Sequence, residues 1–209
     1  MERWVLLRKG ADFETIGKKY QISPRLACLI RNRDVIGEEA IERYLNGTIS
    51  DLYDGMLMKD ADKAIDILKE KIAEEKKIRV IGDYDIDGVN ATYILLEGLE
   101  RLGAYVDSDI PDRIGDGYGL NRHLIDRAYD AGIDTIITCD NGIAAANEIA
   151  YGKELGMTII VTDHHEIPFD EIDGEKIYRL PPADAVIDPK QKDCVYPFKG
   201  LCGAAVAYN

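Results

Sequence analysis

Residues 78–110 read IRVIGDYDIDGVNATYILLEGLERLGAYVDSDI, and the order of apolar runs in this stretch decides the fold. Residues 78–81 form a short apolar run typical of a buried strand, and residues 89–102 have the length and spacing of a helix. Residues 105–110 are again predicted to form a short strand. A strand, a helix and a second strand in this order predict a βαβ unit with parallel strands.

The same alternation continues towards the C-terminus. It predicts helices over 124–131 and 144–155, strands over 135–139, 158–162 and 185–187, and a helix that begins at residue 201. We therefore expect the α/β class, with a parallel Rossmann-like sheet flanked by helices. Residues 170–175 are predicted to form an acidic surface loop.

The first 77 residues contain helical signals only. A Ser-Pro pair at 23–24 is a typical helix start, and apolar residues recur every three or four positions over 59–76. We predict two regions: residues 1–77, a helical region that packs on the catalytic domain, and residues 78–209, the α/β domain.

Composition limits the function. The 209 residues include 39 acidic and 26 basic side chains, a net charge of −13, which argues against a surface that wraps nucleic acid everywhere. No apolar run could cross a bilayer and the start does not resemble a signal peptide, so we expect a cytoplasmic protein without a membrane partner. The four cysteines form no C-x-x-C pair, which predicts buried free thiols rather than zinc ligands or disulfides: Cys28, Cys139, Cys194 and Cys202.

Acidic residues follow three of the predicted strands. The first strand leads into G-D-Y-D-I-D-G at 82–88, the strand over 135–139 into Asp140, and the strand over 158–162 into D-H-H at 163–165. Ligands of open parallel sheets bind at the carboxyl ends of the strands. Closely spaced carboxylates repel one another, and Mg²⁺ or Mn²⁺ is their usual compensation.

Each of these motifs also has a structural interpretation. Asp-rich segments and Asp-Asn-Gly often form ordinary turns or helix caps. A calcium loop that begins at Asp83 is excluded, because its twelfth position, where a bidentate Glu belongs, is Ile94. The adjacent pair His164 and His165 favours chemistry, with one ring towards a metal and the next towards a phosphate.

The segment P-D-R-I-G-D-G-Y-G-L-N at 111–121 is rich in glycine, which allows a backbone to approach a ligand closely. Arg113 could hold a phosphate through two donors. The alternative is a flexible surface loop.

Taken in order, these motifs resemble the DHH phosphoesterase superfamily and, within it, the RecJ-like single-stranded-DNA-specific exonucleases. The resemblance rests on the segments at 82–88, 111–120, 138–142 and 162–165, and on D-P-K at 188–190 followed by Y-P-F-K-G-L-C-G at 196–203. It implies a metal-dependent 5′-to-3′ exonuclease of DNA repair and recombination, which acts on single-stranded DNA and works with a helicase or a single-strand-binding protein.

The resemblance also implies roles for individual residues. Two Mn²⁺ or Mg²⁺ ions would be held by Asp85, Asp87, Asp140 and His164, with Asp83 beside them as a further ligand or a supporting acid. His165 would face the scissile phosphate and Asp163 would orient a neighbouring imidazole. Arg113 and Asn121 would contact the phosphate or the strand.

The sequence departs from the family pattern at two points. Ile81 stands where many members have a histidine, which removes one nitrogen ligand. The family usually continues past residue 209, so we expect an N-terminal fragment that is weakly active or inactive alone. The alternatives are a DHH phosphodiesterase for short oligonucleotides or cyclic dinucleotides, and a non-catalytic module that binds a nucleotide or a partner. A Rossmann dinucleotide-binding protein is the weakest alternative, because G-x-G-x-x-G does not follow the first strand.

Overall fold

A computed structural model describes Val5, residues 9–113, Gly115, Gly117 and residues 119–209. The chain forms two compact units, Met1–Leu52 and Tyr53–Asn209. The predicted boundary between residues 77 and 78 lies inside the second unit, because the helix that precedes the first strand packs on the sheet. That the helical region packs on the catalytic domain stays a prediction.

In its described residues the first unit contains three α-helices, α1 (Phe13–Tyr20), α2 (Pro24–Asn32) and α3 (Glu38–Asn46), and a short 3-10 helix, Ile49–Asp51. The predicted start of α2 is correct, since the Ser23 hydroxyl accepts a hydrogen bond from the N–H of Leu26 at 3.2 Å. Such a cap satisfies one of the unpaired donors in the first turn of a helix.

The second unit is built on a five-stranded parallel sheet. Its strands are β1 (Lys77–Ile81), β2 (Tyr105–Asp109), β3 (Thr135–Cys139), β4 (Thr158–Thr162) and β7 (Ala185–Ile187), in the spatial order β2-β1-β3-β4-β7. The helices are α4 (Ala61–Ala73), α5 (Ile86–Arg101), α6 (Arg122–Asp130), α7 (Ala146–Glu154) and α8 (Gly203–Tyr208). The predicted α/β fold with a parallel sheet is therefore confirmed.

Helices cover both faces of this sheet. Successive side chains of a strand point to opposite faces, and in β3 Ile136 packs towards α6 and α7 whereas Ile137 packs towards α4, α5 and α8. Burial on both sides explains why the strands are continuous apolar runs. All five carboxyl ends meet at one edge of the sheet, which brings the loops after β1, β3, β4 and β7 together.

Residues 170–175 do not form the predicted acidic loop. They belong to an antiparallel hairpin of β5 (Phe169–Ile172) and β6 (Glu175–Tyr178). The turn residues Asp173 and Gly174 both have positive φ, which matches the twist of a two-residue hairpin turn. The acidic composition of residues 170–175 led to the prediction of a loop, although Asp173-Gly174 is a typical hairpin turn between two strand-forming segments.

The cysteine prediction is correct for Cys139 and Cys194, which are buried, and wrong for Cys202, which is exposed just before α8. Cys28 is half-buried. Within the described part of the chain, no helix has both the length and the apolar character needed to span a bilayer.

Candidate metal centre

The loop after β1 carries the first group of acids. Asp83 is 1% exposed, and Asp85 begins α5 by accepting hydrogen bonds from the N–H groups of Asp87 and Gly88 at 2.8 and 3.0 Å. A Cβ on Gly88 would lie 2.6 Å from the backbone of Asp83, so this turn requires glycine. The tight turn fixes the Asp83 and Asp85 carboxylates on one side of the loop.

Asp140 follows β3 in a strained conformation. Its φ is +59°, a left-handed value that few residues other than glycine adopt, and its side chain is 2% exposed. Its N–H donates to the carbonyl of Thr162 at 3.1 Å, which ties the turn to β4. Strain of this kind is typical of functional sites, where the surrounding structure holds the residue in place.

Asp140 lies between two groups of possible metal ligands. One group contains Asp83, Asp85 and Asp140, and the other contains Asp140, His164 and His165; in each, one ligand atom per residue lies within 4.8 Å of the others. A carboxylate shared by two ligand groups suits a pair of cations that it bridges. The loops after β1, β3 and β4 therefore converge as their sequence positions predict.

Two of the site carboxylates, Asp83 and Asp140, have oxygens to which no described residue donates a well-formed hydrogen bond. Among the described residues, neither oxygen of Asp83 accepts a well-formed hydrogen bond, and Oδ1 of Asp140 lies 2.9 Å from Nε2 of His164 without hydrogen-bond geometry. Burial, followed by the charges of Asp87 and Asp85, raises the pKa of Asp140 to about 7. Burial also raises the pKa of Asp83. Buried oxygens without donors fit a divalent cation, which would supply the missing positive charge.

Asp87 has a different environment from the other acids. Its two oxygens accept hydrogen bonds from the N–H groups of Gly203 and Ala204 at 2.6 and 2.8 Å, and Nε2 of His164 lies 3.5 Å away. Burial opposes ionisation of Asp87, but the hydrogen bonds from Ala204, Gly203 and the Cys202 side chain, together with the charge of His164, lower its pKa. Asp87 thus joins α5 to α8 at the border of the site, and its predicted role as a metal ligand stays a prediction.

Asp163 fixes the orientation of His165. Its buried Oδ1 lies 2.7 Å from Nδ1 of His165, and its Oδ2 accepts a hydrogen bond from the N–H of Ile143 at 2.9 Å. Burial alone would raise the pKa of Asp163, but its hydrogen bonds with His165 and Ile143 lower it. The same Asp163–His165 bond raises the pKa of His165. This geometry is the one expected of an orienting carboxylate.

The two predicted phosphate contacts have structural partners. The Arg113 guanidinium lies over the ring of Tyr84, 5.2 Å from its centroid, beside the first acidic loop. Asn121 caps α6, with Oδ1 accepting from the N–H of Leu124 at 3.0 Å. Their contact with substrate stays a prediction, and residues 114, 116 and 118 of the same segment lie outside the described residues.

Asp188 is an additional acid that the sequence analysis did not assign to the site. It follows β7 directly, is 0% exposed, and accepts a hydrogen bond from the N–H of Lys190 at 2.7 Å. Burial, with a smaller contribution from the charge of Asp163, raises its pKa to about 7. Its position was a usable signal, because a carboxylate directly after a parallel strand faces the same edge as the other acids.

Comparisons with known proteins agree with this geometry. The chain is 39% identical over 208 residues to the single-stranded-DNA-specific exonuclease RecJ of Bacillus subtilis (strain 168); the match covers 99% of the chain and 25% of that protein. The chain thus spans about a quarter of the length of this curated relative.

Two solved structures are also similar. A crystal structure of exonuclease RecJ bound to manganese has a TM-score of 0.60 and 34% identity, over 72% of the chain and 36% of the other. RecJ from Thermus thermophilus in complex with Mn²⁺ has a TM-score of 0.66 and 27% identity, over 98% of the chain and 27% of the other.

A model of the DHH family, N-terminal domain, matches residues 77–209, which is most of the second compact unit. This match includes the acidic loop after β1, Asp140 and the D-H-H segment for which the geometry is described above. The chain therefore belongs to the DHH family.

Proposed function

We propose that this chain is the catalytic part of a metal-dependent phosphodiesterase that removes nucleotides from the 5′ end of single-stranded DNA. The observation that carries the proposal is the pair of ligand groups sharing Asp140, with buried oxygens of Asp83 and Asp140 that receive no hydrogen bond from the residues described by the structure. The similarity to RecJ exonucleases, including two solved structures that contain manganese, supports the choice of substrate and metal.

Five residues are proposed to hold two Mn²⁺ or Mg²⁺ ions: Asp83, Asp85, Asp87, Asp140 and His164. Cations bound there would lower the pKa of a water molecule and offset the charge that develops on the phosphate. Because the pKa of Asp140 is raised to about 7 in the metal-free site, a cation would compete with a proton for this carboxylate near neutral pH.

His165 is proposed to contact the scissile phosphate. Its Nδ1–H donates to Asp163, which directs Nε2 away from that carboxylate. The raised pKa of His165 keeps the imidazole protonated to a higher pH than usual, so Nε2 can donate a hydrogen bond to a phosphate oxygen. Asp163 is a positioning residue, because it acts through His165. Arg113 and Asn121 complete the proposed contacts to the phosphate or the strand.

The cellular context is part of the same proposal. A single-strand exonuclease needs an enzyme that unwinds the duplex or a protein that presents the single strand, so a helicase or a single-strand-binding protein is the expected partner. We propose that the protein acts in the cytoplasm, in DNA repair and recombination.

Calorimetric titration with Mn²⁺ tests the metal site independently of activity. We expect two bound ions in the wild type and the loss of at least one in Asp140→Ala, because Asp140 belongs to both ligand groups. Asp66→Ala, which removes an exposed carboxylate of α4, is the control and should bind like the wild type. Equal Mn²⁺ binding by all three proteins would refute the assignment of the site.

Digestion of a 5′-labelled single strand with Mn²⁺, with the chain and its variants assayed within the whole gene product, tests the reaction. Hydrolysis by the wild type and Asp66→Ala, but at least about a hundredfold less by Asp140→Ala, is expected for a group that holds catalytic cations. Competition with di- and trinucleotides distinguishes substrates. Faster hydrolysis of these than of a long single strand would contradict the proposed exonuclease.

A further inference from the structure

A cavity of about 470 Å³ opens beside the proposed metal centre. Its walls are the segments before α6 and α7 together with Asp163, His165 and Glu166. This volume lies in the range of small-molecule sites and exceeds that of a single nucleobase. The roles proposed above assign no ligand to the cavity itself, although His165 and Asn121 line it.

One residue in the wall of this cavity has a buried acceptor to which no described residue donates. Asn141 lines the cavity and is 3% exposed, and its Nδ2 donates to the carbonyls of Ile81 and Cys139 at 3.2 and 3.0 Å. These two bonds determine which side of the amide carries the nitrogen. Oδ1, on the other side, accepts no hydrogen bond from any described residue. Buried acceptors are rarely left unpaired, so we expect Oδ1 of Asn141 to accept a hydrogen bond from a bound ligand.

The charged groups on the walls disfavour a phosphate ligand. Besides Asp163, the cavity is lined by the carboxylates of Glu148 and Glu166. Lys190 pairs with Glu166 at 2.9 Å, and His165 pairs with Asp163. The groups available to a ligand are therefore mainly acceptors, which suit N–H donors. A phosphate offers only acceptors at neutral pH and would be repelled.

Apolar side chains form the rest of the wall, chiefly Leu120, Ile143, Ala144 and Ala145. A flat group that carries N–H donors on its edge fits both kinds of surface. The amino and imino groups of nucleobases are such donors, and base faces pack readily on apolar side chains.

We propose that this cavity binds the nucleobase of a nucleotide adjacent to the scissile phosphate, with Asn141 accepting a hydrogen bond from the base edge. The inference rests on the proposed function, since His165, the residue assigned to the phosphate, also lines the cavity. A phosphate at His165 leaves its own nucleotide within reach of the same space. The residues that line the cavity would thus contact the base next to the phosphodiester bond that is hydrolysed.

Single strands with one abasic tetrahydrofuran residue at the first, second or third position from the 5′ end test this proposal. We expect the abasic residue to slow hydrolysis about tenfold at one position only, which is typical of the loss of one pocket contact. Equal rates for all the abasic strands and the intact strand would overturn the inference but leave the proposed function intact. If the wild-type chain, assayed within the whole gene product, cut no single strand, that result would contradict the proposed function itself.

Two matched substitutions locate the effect. Ala144→Trp places a large ring at the exposed edge of the cavity, whereas Asn147→Trp places the same ring at an exposed position that does not line it. Ala144→Trp should remove the difference between intact and abasic strands, and Asn147→Trp should preserve it. Both should bind Mn²⁺ like the wild type, which shows that the fold and the metal site are intact.

The same variants identify the occupant. If Ala144→Trp abolished discrimination between strands with and without a 5′-phosphate, and did not change the effect of the abasic residue, the cavity would bind phosphate. That result would overturn the proposal.

Discussion

Replacement of Gly203 by alanine tests how closely α8 approaches the proposed metal centre. Gly203 is the first residue of α8, and a Cβ there would lie 2.7 Å from both Cβ and Oδ1 of Asp140. Ordinary contacts between such atoms are about 3.5–4.0 Å, so either the carboxylate or the helix must move by about 1 Å. Asp140 is already strained at φ +59°, and α8 is tied to Asp87 through two N–H donors.

The size of the effect follows from this displacement. Overpacking of a well-packed site costs about 1–3 kcal/mol of unfolding free energy. A misplacement of about 1 Å lowers the rate of a catalysed reaction about a hundredfold. We therefore expect Gly203→Ala to unfold at a lower guanidinium concentration, to bind Mn²⁺ at least about tenfold more weakly, and to lose about a hundredfold in hydrolysis of single-stranded DNA.

Gly98→Ala is the matched control. It also replaces glycine by alanine in a helix, but nothing lies within 4 Å of the added Cβ. Alanine in a helix interior stabilises by about 0.5–1 kcal/mol relative to glycine, so this variant should be slightly more stable and fully able to bind Mn²⁺. If Gly203→Ala matched the wild type in stability, Mn²⁺ affinity and rate, the close approach of α8 to Asp140 would be refuted.

Three further predictions concern buried groups. Asp163→Asn should lower the pKa of His165, which NMR titration of the imidazole ring would measure. It should also slow hydrolysis about 10–100-fold, because the imidazole loses its orienting partner. An unchanged His165 pKa would contradict the positioning role of Asp163. The pKa of Asp188 is raised to about 7 in the folded chain, against about 3.9 unfolded, so folding takes up a proton between these pH values and stability falls as pH rises through this window. Asp188→Asn, measured by urea unfolding with EDTA, should therefore stabilise the protein by about 1–4 kcal/mol more at pH 8 than at pH 4; a pH-independent difference would show that Asp188 does not titrate as inferred. Iodoacetamide at pH 8 should modify the exposed Cys202 well before the buried Cys139, whose pKa burial raises to about 12, and mass spectrometry of the native protein checks the order.

Much of the fold follows from local patterns. Each parallel strand is a short apolar run because it is buried on both faces, and each crossover helix has the matching length, so the amino-acid sequence alone displays the alternation. The site residues can also be predicted from the sequence, because parallel strands place their carboxyl ends at one edge of the sheet. Asp83, Asp140 and His164 can thus be grouped from their positions after three different strands.

Other features depend on long-range contacts and could not be predicted. The bonds from Gly203 and Ala204 to Asp87 join residues more than a hundred positions apart, and nothing local in α8 indicates them. The hairpin of β5 and β6 was missed because its carboxylates suggested a solvated loop, although Asp173-Gly174 was a turn signal. Asp188 follows a strand that the sequence predicts, but no second acid or histidine accompanies it there to indicate a role in the site.

In the proposed metal centre, the acids after β1 and β3 and the histidine after β4 hold divalent cations together. Anomalous diffraction from crystals grown with Mn²⁺ would locate these cations. We predict two anomalous peaks, one on either side of Asp140. Each peak should lie about 2.0–2.6 Å from its ligand atoms, which Asp83, Asp85 and His164 supply together with Asp140. The absence of an anomalous peak at Asp140, in crystals that show Mn²⁺ bound elsewhere on the protein, would contradict the account.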